Sequence, residues 1–227
     1  MMQKPVRAAL LVGSPKGPNS TSNSIGAYLT ERLKQNGITT EKAYICQSLG
    51  TDQRREALFR LVDESDLIIL AFPLYVDSLP SQVIATLELI DENEKTKPQL
   101  KKKRFAAIAN SGFPEAKQNN TALAVCRLFA KQAGFIWAGG LAMGAGGIIS
   151  GTPLAKFGGR VRNQTKALEI AADALAKGQP IPDEAVALMS KLGFPKWIYT
   201  WRGNRIWKQE AKKQMSINKM YDQPFAR

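Results

Sequence analysis

The run Leu67-Ile68-Ile69-Leu70-Ala71-Phe72, entered from Asp66, is apolar at every position. A strand with one face in water alternates polar and apolar residues. A strand without alternation is buried on both faces, as in a parallel sheet covered by helices. Ala8 to Val12 and Phe105 to Ala109 repeat the pattern. Parallel neighbours cannot be joined by tight hairpins; each pair needs a crossover, normally a helix. These runs restrict the possible folds more than any other feature of the chain.

The intervening segments have the periodicity that crossover helices need. Ile25, Leu29 and Leu33 recur at helical spacing up to Asn36-Gly37, and Ala57, Leu58, Leu61 and Val62 do so within Asp52 to Glu64. Pro80 opens a helix with the stripe Val83, Ile84, Leu87 and Ile90, and a further helix spans Asn119 to Ala133. Asn36-Gly37, Ala133-Gly134 and Lys177-Gly178 carry the glycine that a left-handed helix stop favours. Thr39 to Ile45 and Phe135 to Leu141 read as a second and a fifth strand. The expectation is an α/β fold with a doubly wound parallel sheet. Five strands suit a flavodoxin-like order better than a six-stranded dinucleotide fold. Ligands of such sheets sit outside the carboxyl ends of the strands, where residues 13–24, 73–79 and 110–117 belong.

The first of these loops, Gly13-Ser14-Pro15-Lys16-Gly17-Pro18-Asn19-Ser20-Thr21-Ser22-Asn23-Ser24, is rich in hydroxyls and runs into a helix. Backbone N–H groups at a helix start together with hydroxyls make an anion site. The loop lacks the Gly-Lys-Ser/Thr ending of a triphosphate loop, and it is not Gly-x-Gly-x-x-Gly. It suits one terminal phosphate monoester held mostly by neutral donors; the alternative is a polar loop that merely caps the helix. In the second loop Pro73 fixes the backbone and Tyr75 offers a flat surface to a planar ring. In the third, Asn110, Ser111 and Gly112 offer amide, hydroxyl and open backbone donors to a polar heterocycle edge. Read singly, Tyr75 is equally a packing tyrosine and Asn110-Ser111-Gly112 a turn.

The chain contains no histidine, which removes Ser-His and Cys-His catalysis and the commonest metal ligand. Two cysteines, Cys46 and Cys126, are too few for a thiolate zinc site or a cysteine-ligated iron–sulfur cluster. No metal is expected, and redox or proton chemistry must lean on a bound cofactor.

The stretches Gly13-Ser14-Pro15-Lys16 with Asn23-Ser24, Pro73-Leu74-Tyr75-Val76-Asp77-Ser78-Leu79-Pro80 and Asn110-Ser111-Gly112-Phe113 resemble the NAD(P)H-dependent FMN reductase and iron–sulfur flavoprotein group of the flavodoxin-like superfamily. The resemblance implies that Ser14, Lys16, Ser22, Asn23 and Ser24 surround the FMN phosphate. It implies that Pro73, Leu74, Tyr75 and Val76, with Asn110, Ser111 and Gly112, meet the flavin ring. The activity implied is an FMN-dependent NAD(P)H oxidoreductase. NADPH or NADH is the co-substrate, and hydride passes through flavin N5, by a ping-pong course, to a small acceptor such as a quinone or nitro compound. A flavodoxin-type electron carrier without its own reductase activity is the alternative. The first loop is longer than the family's usual form, leaving open which of Ser20, Thr21 and Ser22 touches phosphate. The cluster cysteines of true iron–sulfur flavoproteins are missing, so one-electron relay through a cluster is not expected.

The formal net charge is +13. Part lies in Lys101-Lys102-Lys103-Arg104, expected to be a solvated loop. More lies beyond Lys191, where cations interleave with Trp197, Tyr199, Trp201 and Trp207. The domain organisation expected is a flavodoxin-like FMN-binding domain over residues 1–178 and a basic, tryptophan-containing helical extension over 179–227. That extension reads first as docking on its own domain or a dimer partner with its tryptophans packed on protein, second as lying on an anionic membrane, and last as binding nucleic acid. A homodimer without nucleic acid, located in the cytoplasm, is the expectation, because a signal peptide would be cut inside the first loop. The glycine-rich run Gly139 to Gly151 reads as a mobile loop or as a place where nicotinamide or acceptor approaches the backbone.

Overall fold

The computed structural model describes residues 4–96, 102–214, 217–219 and 221–222. Five strands, β1 (Arg7–Val12), β2 (Thr39–Tyr44), β3 (Leu67–Pro73), β4 (Arg104–Asn110) and β5 (Ile136–Met143), form one sheet in the order β2-β1-β3-β4-β5. Every pairing is parallel. This is the flavodoxin-like order, with its switch point between β1 and β3. The helices are α1 (Thr21–Gln35), α2 (Ile45–Ser48), α3 (Asp52–Glu64), α4 (Ser81–Lys95), α5 (Asn120–Gln132), α6 (Arg162–Ala176), α7 (Asp183–Ser190) and α8 (Lys196–Lys213).

Strand side chains alternate between two cores, since successive Cβ atoms point to opposite faces. Leu10, Val12, Leu67, Ile69 and Ile108 join Ile25, Leu29 and Leu33 of α1 and Leu168 and Leu175 of α6. Leu11, Ile68, Leu70, Phe72 and Phe105 join Leu58 and Val62 of α3, Val83, Leu87 and Ile90 of α4, and Cys126 of α5. The unbroken apolar runs thus mark strands sandwiched on both faces, and burial of both sides is what holds the carboxyl ends of β1, β3 and β4 in line.

The basic run before β4 differs from its expectation. Lys101 lies outside the described residues, but Lys103 and Arg104 are buried. Lys103 Nζ lies 2.5 Å from Glu94 Oε1 of α4 and 3.5 Å from Asp63 of α3, so its charge ties two helices instead of facing solvent. Composition alone does not reveal this, because the partners lie on other elements.

The chain divides into two compact units, Met1–Gly193 and Phe194–Arg227. The first therefore extends past residue 178: α7 buries Ala185 and Met189 and packs against α6 and β5. The second unit contains α8, which buries none of its residues. No helix among the described residues is long and apolar enough to cross a membrane.

Candidate functional site

The first loop leaves β1 through Gly13, whose N–H donates to the Ala71 carbonyl of β3 at 2.8 Å. A reverse turn follows, closed by Gly17 N–H to Ser14 O at 2.9 Å, with a short 3-10 turn at Gly17–Asn19. Ser20 then caps α1: its hydroxyl accepts the Asn23 N–H at 3.1 Å and donates to Gly17 O at 2.6 Å. The first N–H groups of a helix have no acceptor within it. With Asn23 capped by Ser20, those of Thr21 and Ser22 remain for a ligand. No acidic residue stands in the first turn of α1, and Lys16, exposed, is the only ionisable side chain between Gly13 and Ser24. Neutral donors, a helix start and one cation are the donor set of a phosphate monoester site.

The predicted phosphate residues are not equivalent. Ser14 is buried, and its hydroxyl accepts only the Lys16 N–H at 3.4 Å, keeping its proton to donate. Ser22 Oγ accepts from Asn110 Nδ2 at 2.9 Å. Asn23 turns toward β2: Nδ2 donates to Pro18 O, while Oδ1 accepts from Lys42 Nζ at 3.0 Å and Tyr44 OH at 3.2 Å. Ser24 Oγ donates to Ser20 O at 3.2 Å, inside the helix. Lys42 and Tyr44 escaped sequence reasoning because they lie on a different strand; only the β1–β2 register sets Tyr44 beside Val12.

The second loop begins at Pro73 and Leu74, both half-buried. Leu74 N–H donates to Asn110 O at 2.8 Å. Tyr75 and Ser78 exchange N–H···O bonds of 2.9 and 3.0 Å around Val76 and Asp77, whose φ values are 47° and 59°. Positive φ at both central residues defines a type I′ turn, which favours Asn-Gly, and a β-branched valine there is strained. Val76 is 99% exposed and Tyr75 is 44% exposed. An apolar tip and an aromatic face are therefore displayed at the end of β3 by a strained turn, an arrangement that recurs at ligand sites.

Asn110 joins all three segments. It ends β4, and its buried amide donates both to Ser22 Oγ and to Phe72 O at 2.9 Å. Ser111 N–H donates to Met143 O at 3.0 Å, and its hydroxyl accepts from Asn119 Nδ2 at 3.3 Å. Gly112 has open space where a Cβ would stand.

The glycine-rich run is a packed strap. Gly146 N–H donates to Ser111 O at 2.8 Å, and Thr21 Oγ1 donates to Gly146 O at 2.8 Å. A Cβ on Gly144 would collide with the Pro114 carbonyl. One on Gly151, at φ 81°, would lie 2.5 Å from the Asn19 carbonyl carbon. These glycines admit the neighbouring loops, a packing role that glycine density alone did not distinguish from the two roles expected.

Neither thiol is suited to nucleophilic work. Burial pushes the Cys126 thiol up to about 12 and raises that of Cys46 as well. No group of metal-ligating side chains occurs among the described residues.

A family model described as NADPH-dependent FMN reductase matches residues 6–131, more than half of the chain and all of the three-loop arrangement. No curated protein sequence matches the chain. Among solved structures the fold is similar to an NADH:FMN oxidoreductase in its apo form, at 16% identity and TM-score 0.55, covering 84% of this chain and 96% of that one. It is also similar to a flavone reductase, at 12% identity and TM-score 0.57, where 75% of this chain spans 63% of the other. An FMN-dependent NADH-azoreductase from Bacillus anthracis str. Ames Ancestor, solved in complex with FMN, aligns at 14% identity and TM-score 0.51, over 75% and 99% of the two chains. At these identities the likenesses concern the fold.

Proposed function

The chain belongs to the NADPH-dependent FMN reductase family, and we propose that it is a reductase that takes hydride from NAD(P)H and passes it to a small acceptor such as a quinone or nitro compound in two half-reactions. Bound FMN supplies the hydride-accepting and hydride-donating chemistry, which explains how a chain without histidine performs it. The protein's part is to hold, orient and polarise. The N–H groups of Thr21 and Ser22, the Ser14 hydroxyl and the Lys16 ammonium would hold the phosphate. Leu74, Tyr75 and Val76 would line the ring, and the segment Asn110-Ser111-Gly112 would pass along its polar edge. Asn23 and Ser24 would act from behind, one steering Lys42 and Tyr44, the other closing the first helical turn.

The observation that carries this reading is the tie of three loops by one buried amide, Asn110 to Ser22 and to Phe72. It brings a phosphate-type helix start, an exposed aromatic turn and an open glycine to the carboxyl end of one sheet. Anaerobic mixing of FMN-loaded protein with NADPH or NADH tests it. Flavin absorbance is expected to bleach within seconds, and initial-rate plots with a quinone acceptor are expected to be parallel. Bleaching only on addition of a separate reductase would overturn the proposal in favour of an electron carrier.

A further inference from the structure

Three of the four tryptophans of this chain lie in α8, outside everything the reductase reading uses. Trp197, Trp201 and Trp207 are 69, 58 and 70% exposed, and Ile206 is exposed as well. At about 100° per residue the three tryptophans and Ala211 fall within one arc of roughly 120°. Lys208 falls inside that arc, between Trp197 and Trp201; Arg205 and Lys212, then Arg202 and Lys213, follow on one flank, and Lys196 stands on the other. The Arg205 guanidinium lies 5.7 Å from the centre of the Trp201 ring. Glu210 is the only acid of α8, and it is paired with Lys213 at 2.6 Å. From Phe194 to Arg227 there are eight Lys or Arg residues against two acids.

We propose that α8 is a peripheral membrane-binding helix that lies on anionic lipid, with Trp197, Trp201 and Trp207 in the headgroup layer and the flanking cations on lipid phosphates. Indole rings are driven to that layer because the ring is apolar and its N–H still needs a polar partner. Cations near a negatively charged leaflet add attraction that falls off within a screening length. The helix is of the surface-lying class, since its charge content forbids spanning. Lipid suits this helix better than nucleic acid. Base stacking needs rings presented in file along a cationic groove, whereas here the rings spread over an arc of one helix surface with cations within it and on both its edges, as on an interfacial helix.

Co-sedimentation of the full chain with vesicles tests the proposal, comparing pure phosphatidylcholine with a mixture of phosphatidylcholine and phosphatidylglycerol. Binding to the anionic vesicles alone is expected. It should fall about tenfold or more as salt shortens the screening length, and the indole emission should shift to the blue. The combined change Trp197→Ala, Trp201→Ala, Trp207→Ala should lower partitioning at least tenfold while FMN binding by the same variant stays intact, which shows that the fold survives. Failure to bind anionic vesicles, equal binding to neutral ones, or undiminished binding by the variant would each overturn the proposal. So would displacement from vesicles by single-stranded oligonucleotide at equal charge concentration, or loss of a dimer in the variant without any vesicle binding by the parent chain.

Discussion

Asn110 Nδ2 stands 2.9 Å from Ser22 Oγ, joining the last residue of β4 to the first turn of α1 across 88 positions of sequence. The same nitrogen reaches Phe72 O, and the Asn110 carbonyl accepts from Leu74 N–H, so one buried residue sets the spacing of three loops. Replacing it by alanine leaves the Phe72 carbonyl and the Ser22 hydroxyl without this donor. Asn110→Ala is expected to cost about 2–3 kcal/mol in urea unfolding and to weaken FMN binding roughly tenfold. Asn110→Asp, which keeps the shape and removes the donor, should do no better. An Asn110→Ala protein with parental stability and flavin affinity would show that the loops are spaced by other contacts.

Phosphate recognition should be separable from ring recognition. Ser14→Ala and Lys16→Ala are each expected to narrow the preference for FMN over riboflavin by roughly fivefold to tenfold, the value of one charge-assisted contact. Ser24→Ala should leave that preference unchanged, because its hydroxyl is occupied by Ser20 O. Titration of the apoprotein with both flavins, followed by fluorescence quenching, measures the ratio directly.

The turn at Val76 and Asp77 stores strain that a better-suited sequence would remove. Val76→Asn with Asp77→Gly supplies the pair that type I′ turns favour and is expected to stabilise the flavin-free protein by about 1–2 kcal/mol. Differential scanning calorimetry would register this as a rise of several degrees in Tm. An unchanged or lower Tm would mean that the valine makes contacts worth more than its strained φ.

Asp91 of α4 provides a pH-dependent contribution. Removal from water disfavours its charged form. Lys95 Nζ and Gln132 Nε2, both 2.6 Å from Oδ2, outweigh that and hold the carboxyl below its ordinary range. A lowered folded pKa stabilises the fold fully above the unfolded carboxylate value, and the contribution disappears as pH falls through the folded one. Gln132→Leu is therefore expected to raise the Asp91 pKa and move the acid-unfolding midpoint to higher pH, with little effect at neutral pH on the pairing with Lys95. Carboxyl titration by NMR checks the first part, and circular dichroism against pH checks the second.

Much of this was legible in the chain itself. Leu67 to Phe72 declared a strand buried on both faces, Ile25, Leu29 and Leu33 declared the helix beside it, and their alternation left few topologies besides the one observed. Local rules suffice there, because strand and helix periodicity are properties of neighbouring residues. The hydroxyl-rich loop and the absence of histidine pointed to a phosphate-bearing cofactor for the same reason: each is a statement about residue chemistry. That Ser22 Oγ accepts from Asn110, by contrast, and that Lys103 pairs with Glu94 and Asp63, only the tertiary structure decided. Gly144 and Gly151 are glycines because Pro114 and Asn19 come against them. The boundary near Gly193 depends on α7 finding α6 and β5. Each of these is a contact between elements far apart in sequence, and side-chain partners across such distances exist only once the sheet has been assembled and its register chosen.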